Sequence, residues 1–390
     1  MTTDHTFRMT AKTFFGLEAV LADELKALGA EEITPMTRAV SFLGTQETLY
    51  RANLELRTAL RILKPVLSFR VHDEKELYAR TRRFAWNEYL TPKTTFAIDS
   101  SVHSPHFNHA NYVALKVKDA IVDQLRSVYG VRPDVELENP DLRLNVHIGA
   151  DQCTISLDAS GRSLHKRGYR IDQGLAPINE VLAAGMLLLA GWKGESNFID
   201  PMCGSGTFLM EAASIARAVA PGMKSRDFAF LKWKDFDQAL WNRVVENARA
   251  RERAFMHTIM GFDSSGEAIA IAKENIRHAG FNSMIELKKA RLQDVTSEAL
   301  PEGGGLVMLN PPYGERMDAG EATALYEQIG DALKRHFEGC SVWIISSNKE
   351  ALKSIGLKTS RKLTLYNGAL ECKFHNYQIY QGSKKSKYQQ

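Results

Sequence analysis

From residue 178 onward the chain alternates helical and strand patterns in one phase: helix 178–191, strand "SNFID", helix 206–219, strand "TIMGFD", helix 266–279, strands "IELKKA" and "GLVMLN", helix 322–337, strand "SVWIIS". Short apolar runs separated by amphipathic helices predict strands covered on both faces, the pattern of a mostly parallel, doubly wound α/β sheet. A hydrophobic end strand, "HNYQIYQG", closes it. This alternation excludes all-helical and all-β folds. It also puts the loops that follow the strands on one edge, where open α/β sheets bind ligands. The stretch "VLAAGMLLLAGW" (181–192) is shorter than the roughly 20 residues that span a bilayer and reads as a buried helix.

The first 160 residues are built differently. "GLEAVLADELKALGA" (16–30) has helical spacing with a Gly-Ala stop, followed by "AVSFLG" as a strand. "YVALKVKDAIVDQLRSVYG" (112–130) reads as a helix between the strand "KTTFAIDSSV" and the pair in "RLNVHIGADQCTISLDASG", a hairpin around Gly149-Ala150-Asp151. This mixture predicts an α+β region, one unit or two packed together, with a boundary near residues 160–170. A chain of 390 residues exceeds what one core supports. The terminal "GSKKSKYQQ" reads as a loose basic tail.

Net charge is only +4, and residues 1–170 hold 23 Lys+Arg against 21 Asp+Glu, leaving 27 against 25 afterwards. A polyanionic partner is permitted, but its footprint must be local. Cys153, Cys203, Cys340 and Cys372 lie far apart, with no C-x-x-C pair and no His spacing suited to zinc, so reduced thiols in a cytoplasmic protein are expected and no metal site. The start, "MTTDHTFRMTAKTFFG", has no apolar segment of the secretory kind.

Chemistry concentrates where strands end. In "FIDPMCGSGTFLMEAA" Asp200 ends a strand, and Gly204-Ser205-Gly206-Thr207 turns into a helix whose first N–H groups are free for a carboxylate. Leu209 stands where a dinucleotide fingerprint needs glycine, and no P-loop Lys follows, which argues against NAD and ATP. Asp263 ends the next strand, placed either to accept from ribose hydroxyls or to cap the helix that begins near Ser265. It lies far beyond the ~20 residues expected after the Gly turn in a compact βαβ unit. The intervening "APGMKSRDFAFLKWKDFDQALWNRVVENARARER" is expected to form extra helix packed against the sheet, its aromatics serving as core or lid. Asp294 falls in the following loop, and "GLVMLN" breaks into Asn310-Pro311-Pro312-Tyr313. Two consecutive prolines supply no backbone donors and make a stiff loop.

This set resembles the class I S-adenosylmethionine-dependent methyltransferases, and "NPPY" resembles those that methylate an exocyclic –NH2 or an amide nitrogen. The resemblance implies a cofactor site from Asp200, Pro201, Gly204, Ser205, Gly206, Thr207, Asp263, Ser264, Asp294 and Asn310, with Asp294 accepting from the adenine amine. It implies a catalytic group of Asn310, Pro311, Pro312 and Tyr313: the Asn310 side-chain oxygen and the Pro311 carbonyl accept the two N–H bonds of a weakly nucleophilic amine, and Tyr313 stacks on the extruded base. No metal or strong general base is required, since the cofactor carries the activated leaving group.

"LKVKDAIVDQLR", "ISLDASGRSLHKRGYR" and "APINEVLAAGMLLLAGW", in that order before "DPMCGSGTFLMEAA", further resemble the THUMP-containing RNA methyltransferases, in particular the N-terminal half of the bacterial bifunctional 23S rRNA guanine-N2 enzymes. The resemblance runs from about residue 7 to 381 and stops where the bifunctional protein continues into a second methyltransferase module. It implies a ferredoxin-like segment (1–50), a THUMP domain (51–160), a Rossmann-like methyltransferase domain (165–382) and the basic tail (383–390). The implied partner is RNA, 23S rRNA first and tRNA second, with no membrane and no obligate protein partner. Arg80, Arg82 and Arg83, then Lys166, Arg167 and Arg170, are candidate phosphate contacts. Adenine-N6 methylation of DNA or RNA, guanine-N2 methylation of tRNA, and a non-catalytic RNA-binding assembly factor are the competing expectations.

Overall fold

A computed structural model describes residues 5–131, 134–171, 178–224, 227–312 and 318–380. The chain divides into two compact units. The first comprises Met1–Thr13, Leu21–Leu164 and Ser225–Glu246, and the second Phe14–Val20, His165–Lys224 and Asn247–Gln390.

The N-terminal elements are β1 (Phe7–Lys12), α1 (Glu18–Ala27), β2 (Glu31–Met36), β3 (Ala39–Gly44), α2 (Gln46–Glu55), β4 (Arg61–Arg70), α3 (Glu74–Arg83), β5 (Phe96–His103), α4 (Ala110–Tyr129), β6 (Leu142–Gly149) and β7 (Gln152–Asp158). Their strands form one seven-stranded sheet in the order β2-β3-β1-β4-β7-β6-β5. All neighbours are antiparallel except β5 and β6. The hairpin expected around residues 149–151 is present, with Gly149 opposite Gln152. Three strands escaped the sequence reading: β1, β2 and β4. In β4 the obstacle was Pro65, which removes a ladder donor; the register against β7 shifts between Pro65 and Leu67, an irregularity that accommodates it.

The aromatic insert does not pack as its sequence suggested. Residues 225–246 belong to the first unit, and their rings surround Tyr50 of α2, which is fully buried. Phe230 stacks on Tyr50 at 4.6 Å, Phe228 stacks on Phe230 at 5.4 Å, and Phe236 and Trp241 close the cluster at 5.8 and 5.9 Å from Tyr50. The backbone N–H of Asp237 donates to the Tyr50 hydroxyl at 2.8 Å. Aromatic burial of this size outweighs any local preference to stay beside the neighbouring helix in sequence. The expectation of extra helix holds for α7 (Gln238–Ala250); the expected partner sheet is the wrong one.

The second unit carries α5 (Glu180–Leu189), β8 (Asn197–Asp200), α6 (Thr207–Ala216), β9 (Ile259–Asp263), α8 (Gly266–Ala279), β10 (Ile285–Lys289), β11 (Gly305–Leu309), α9 (Ala319–His336), β12 (Ser341–Ser346), β13 (Thr359–Asn367) and β14 (Leu370–Gln378). The sheet order is β10-β9-β8-β11-β12-β14-β13. The first five strands are parallel, and β14 runs antiparallel between β12 and β13. β8 is buried along its whole length, as the apolar run predicts. On one face Ile199, Val307, Leu309, Val342 and Ile344 pack with Tyr326, Ile329 and Leu333 of α9 and with Phe337, which caps it. Gly330 lets α9 approach the turn at Ala351–Ile355, because a Cβ there would lie 2.0 Å from the Ile355 carbonyl oxygen. The end strand read from "HNYQIYQG" begins earlier, at Leu370, and β13 before it was missed despite Asn367-Gly368, a tight-turn pair. Among the described residues no helix is long and apolar enough to cross a membrane.

If the insert is core, Phe230→Ala should destabilise the first unit by about 3–5 kcal/mol, seen as a lower urea midpoint for that unit. An unchanged midpoint would mean the rings merely cover a surface.

Candidate functional site

The strand order reverses direction at β8: the chain winds outward through β9 and β10, then returns to β11 and β12 on the other side. Loops leaving β8 and β11 therefore diverge and open a crevice at the C-terminal edge. Both loops carry residues singled out above.

After Asp200 the loop folds on itself. The Asp200 carboxylate accepts from Met202 N at 3.1 Å, Cys203 N donates to Phe262 O at 2.8 Å, and Gly206 N donates to Cys203 O at 2.8 Å. Gly204 and Gly206 have φ of 51° and 83°, the left-handed region where side chains are strained. A Cβ on Gly204 would meet nothing within 4 Å, so the loop is open there. Gly206 caps α6 without a side-chain hydrogen bond, leaving the first turn's donors directed outward.

Asp263 ties this loop to the next. One carboxylate oxygen accepts from Gly204 N at 2.9 Å and the other from Ser265 N at 2.9 Å. Ser265, not Asp263, caps α8, its hydroxyl accepting from Ala268 N at 3.2 Å. Of the two readings open at Asp263, capping is thus taken by its neighbour. A carboxylate offers about four acceptor positions, so two further donors, such as ribose hydroxyls, can still be accommodated.

Beside Asp263 lies a cavity of about 180 Å³, lined by Pro201, Met202, Asp263, Ser264, Arg291, Leu292, Gln293, Leu325, Gln328 and Ile329. Apolar walls from Met202, Leu292, Leu325 and Ile329 face a few polar groups, which suits a flat heterocycle. Sequence reading found Pro201, Asp263 and Ser264 but missed the α9 contribution. Its signal was present: Leu325, Gln328 and Ile329 follow i, i+3, i+4 spacing and share one helix face. Asp294 is exposed and is not among the lining residues, whereas Leu292 and Gln293 of the same turn are.

Asn310 follows β11 directly. Its Oδ1 is buried and accepts no hydrogen bond from any described residue, an arrangement that costs about 1–3 kcal/mol unless a ligand supplies a donor. Pro311 is buried and Pro312 half-buried. Tyr313 lies outside the described residues. Asp263 links the Gly loop to the cavity, and Asn310 ends a strand on the same edge; neither Asn310 nor the Gly204–Thr207 turn is among the residues that line the cavity.

Of the three basic residues read as phosphate contacts here, Lys166 is exposed. Arg167 is only 4% exposed and sits 3.5 Å from the buried Glu211, which also accepts from Tyr169 Oη at 2.8 Å. Arg170 donates to Glu180 at 2.8 Å, Thr207 Oγ1 at 3.0 Å and Ser205 Oγ at 3.4 Å. These guanidinium groups brace α6 and the Gly loop from within. Burial and prior pairing remove them as phosphate clamps.

Burial raises the Asp200 carboxyl well above its ordinary range, and the nearby Asp263 charge adds to this, opposed by the Met202 N–H. Burial likewise pushes the Cys203 thiol well up, keeping it unreactive. Because the folded protein holds the Asp200 proton more tightly than the unfolded chain, ionisation costs stability as pH rises from the ordinary carboxylate range toward the folded value. Asp200→Asn keeps an acceptor for Met202 and removes that cost. Its melting temperature should exceed that of the parent at neutral pH and converge with it below about pH 4.

Three segments match known families: residues 8–63 the RlmL ferredoxin-like domain, 71–158 the THUMP domain, and 167–376 the RMKL-like methyltransferase domain. A ribosomal RNA large subunit methyltransferase K/L of Syntrophotalea carbinolica is 42% identical over 376 residues, covering 93% of this chain and 52% of the relative. The chain thus spans about half the length of the K/L relatives it matches. By contrast slr0064 of Synechocystis, provisionally named an RNA methyltransferase, is 40% identical and matched over 98% of its length and 96% of this chain. The crystal structure of SMU.472, provisionally described as a methyltransferase and complexed with SAH, superposes with a TM-score of 0.86 at 31% identity, covering 98% of this chain and all of that one. The chain belongs to the RMKL-like methyltransferase family, with its methyltransferase domain preceded by ferredoxin-like and THUMP domains.

Proposed function

We propose that this protein methylates the exocyclic N2 amine of a guanine in structured RNA, 23S rRNA being the substrate that the names of its K/L relatives favour. The methyl donor is S-adenosyl-L-methionine, which supplies an activated methyl group on a sulfonium. Asp263 holds the ribose, the Gly204–Thr207 turn faces the amino-acid moiety, and the cavity walled by Met202, Leu292 and Ile329 takes the adenine. The observation that carries the reading is the buried Asn310 Oδ1 at the end of β11, which no described residue satisfies.

A guanine amine shares its lone pair with the ring. Two acceptors on its N–H bonds, Asn310 Oδ1 and the Pro311 carbonyl, hold it so that the lone pair points out of plane toward the methyl group. Pro311 and Pro312 fix this orientation before the base arrives, since neither can relax into a regular ladder. The THUMP domain is the natural RNA grip. Arg80, Arg82 and Arg83, in the last turn of α3, are its candidate phosphate contacts, and the exposed Lys166, in the second unit, is another for the same RNA.

Asn310→Ala should still bind S-adenosylmethionine by calorimetry, because Asn310, although the resemblance includes it in the cofactor site, does not line the cavity assigned to the adenine. Methyl transfer to rRNA should fall by about 10²-fold or more, as for loss of one preorganised transition-state partner. Nucleoside mass spectrometry of rRNA and tRNA, with and without the gene, identifies the product. N6-methyladenosine in place of N2-methylguanosine would overturn the assignment of the nitrogen, and modification confined to tRNA would overturn the assignment of the polymer.

A further inference from the structure

The crevice edge extends past Asn310 into a group of lysines. Leu309 lies opposite Ile344 on β12, and Ser346, two residues on, lies opposite Lys373 on β14, which in turn lies opposite Thr364 on β13. Two strand spacings across the sheet and two residues along it, roughly 12 Å, thus separate the end of β11 from the Lys373 backbone. Lys349 joins from the loop after β12. Both ammonium groups lie 3.0 Å from the same carboxylate, Glu371. Lys373 also donates to Thr364 Oγ1 at 2.9 Å, and Lys362, exposed on β13, sits opposite His375.

Structural roles explain this group poorly. Exposed ion pairs contribute about 0–1 kcal/mol, and one carboxylate satisfies one lysine; the second leaves a net positive charge. Guarding the sheet edge against other strands accounts for Lys362 on the outer strand. It does not account for Lys349 in a loop or Lys373 on an inner strand. The positive charge is also felt locally: burial lowers the proton affinity of His375, and the fields of Lys362 and Lys373 lower it further.

Building on the RNA reading above, we propose that Lys349, Lys362 and Lys373 form a phosphate-binding strip for the RNA strand flanking the extruded nucleotide. The strip lies on the ligand edge and carries uncompensated positive charge, and it offers a path along that edge for the backbone of a strand that delivers a base to Asn310. Glu371 holds two of the lysines extended before RNA arrives, which limits the ordering cost of binding.

The test is equilibrium binding of an rRNA fragment by the full chain over a range of salt, alongside methyl-transfer kinetics. The Lys349→Gln/Lys373→Gln double variant should raise Kd and KM for RNA about three- to tenfold and reduce the slope of log K against log salt by about 1, with cofactor binding retained. Glu371→Gln should do the reverse, tightening RNA binding and steepening the slope, a gain that misfolding cannot mimic. Lys353→Gln, which removes an exposed lysine paired with Glu350 at 2.8 Å, should change neither. Parent-like Kd and slope in both the double variant and Glu371→Gln overturn the strip. Absence of methyl transfer to RNA by the parent protein overturns the functional reading instead, and the binding isotherms still decide the strip.

Discussion

Parallel pairing of β8 with β9 on one side and β11 on the other is the constraint on which the second unit depends. Parallel neighbours cannot be joined by tight turns, so each connection must cross the sheet, and crossovers leave all strand ends of one kind on one edge. Reversal of winding at β8 then separates two adjacent loops without any residue being specialised for it. Asp200, Asp263 and Asn310 reach the same edge because each ends a strand. Chemistry is concentrated by topology before side chains refine it.

Refinement comes from polar groups that pair across loops and helices. Asp263 spends one acceptor position on each of two loops, Gly204 N and Ser265 N, and so fixes the Gly turn relative to α8. Beneath the turn, Arg170 bridges Glu180 of α5 to Ser205 and Thr207, while Asn275 of α8 donates to the Ser205 carbonyl at 3.2 Å. Breaking one member of such a buried set strands its partners. Among the described residues other buried side-chain atoms, Glu211 Oε2 and Trp233 Nε1 included, also lack a hydrogen-bond partner; the Asn310 oxygen is the one of them at the end of a strand on the ligand edge. It is an acceptor held ready, at a cost that the surrounding core offsets.

The first unit solves a different problem. Its sheet joins strands from the ferredoxin-like and THUMP segments through β4 and β7, and its core recruits rings from the distant residues 228–241. Tyr50 was legible as an apolar position in a helix, and Phe228, Phe230 and Trp241 as aromatics needing burial. Their meeting was not, because nothing in a linear pattern encodes a contact across some 180 residues of chain. The basic run Lys166-Arg167-Arg170 shows the same limit from the opposite direction. As sequence it reads as a charged face. Folded, Arg167 and Arg170 are internal braces, since Glu211 and Glu180 arrive from helices whose own charge pattern gives no sign of it.

Local chemistry determined much on its own. The alternation of short apolar runs with amphipathic helices required a doubly wound sheet, the Gly turn required left-handed backbone, and paired prolines required a rigid end to β11, all because these are properties of a few adjacent residues. Tertiary structure alone decided that Ser265 and not Asp263 caps α8, that Gln328 of α9 rather than Asp294 lines the cavity, and that the insert belongs to the first unit. Each of those outcomes depends on which distant groups compete for the same space or hydrogen bond, and that competition exists only once the chain is packed.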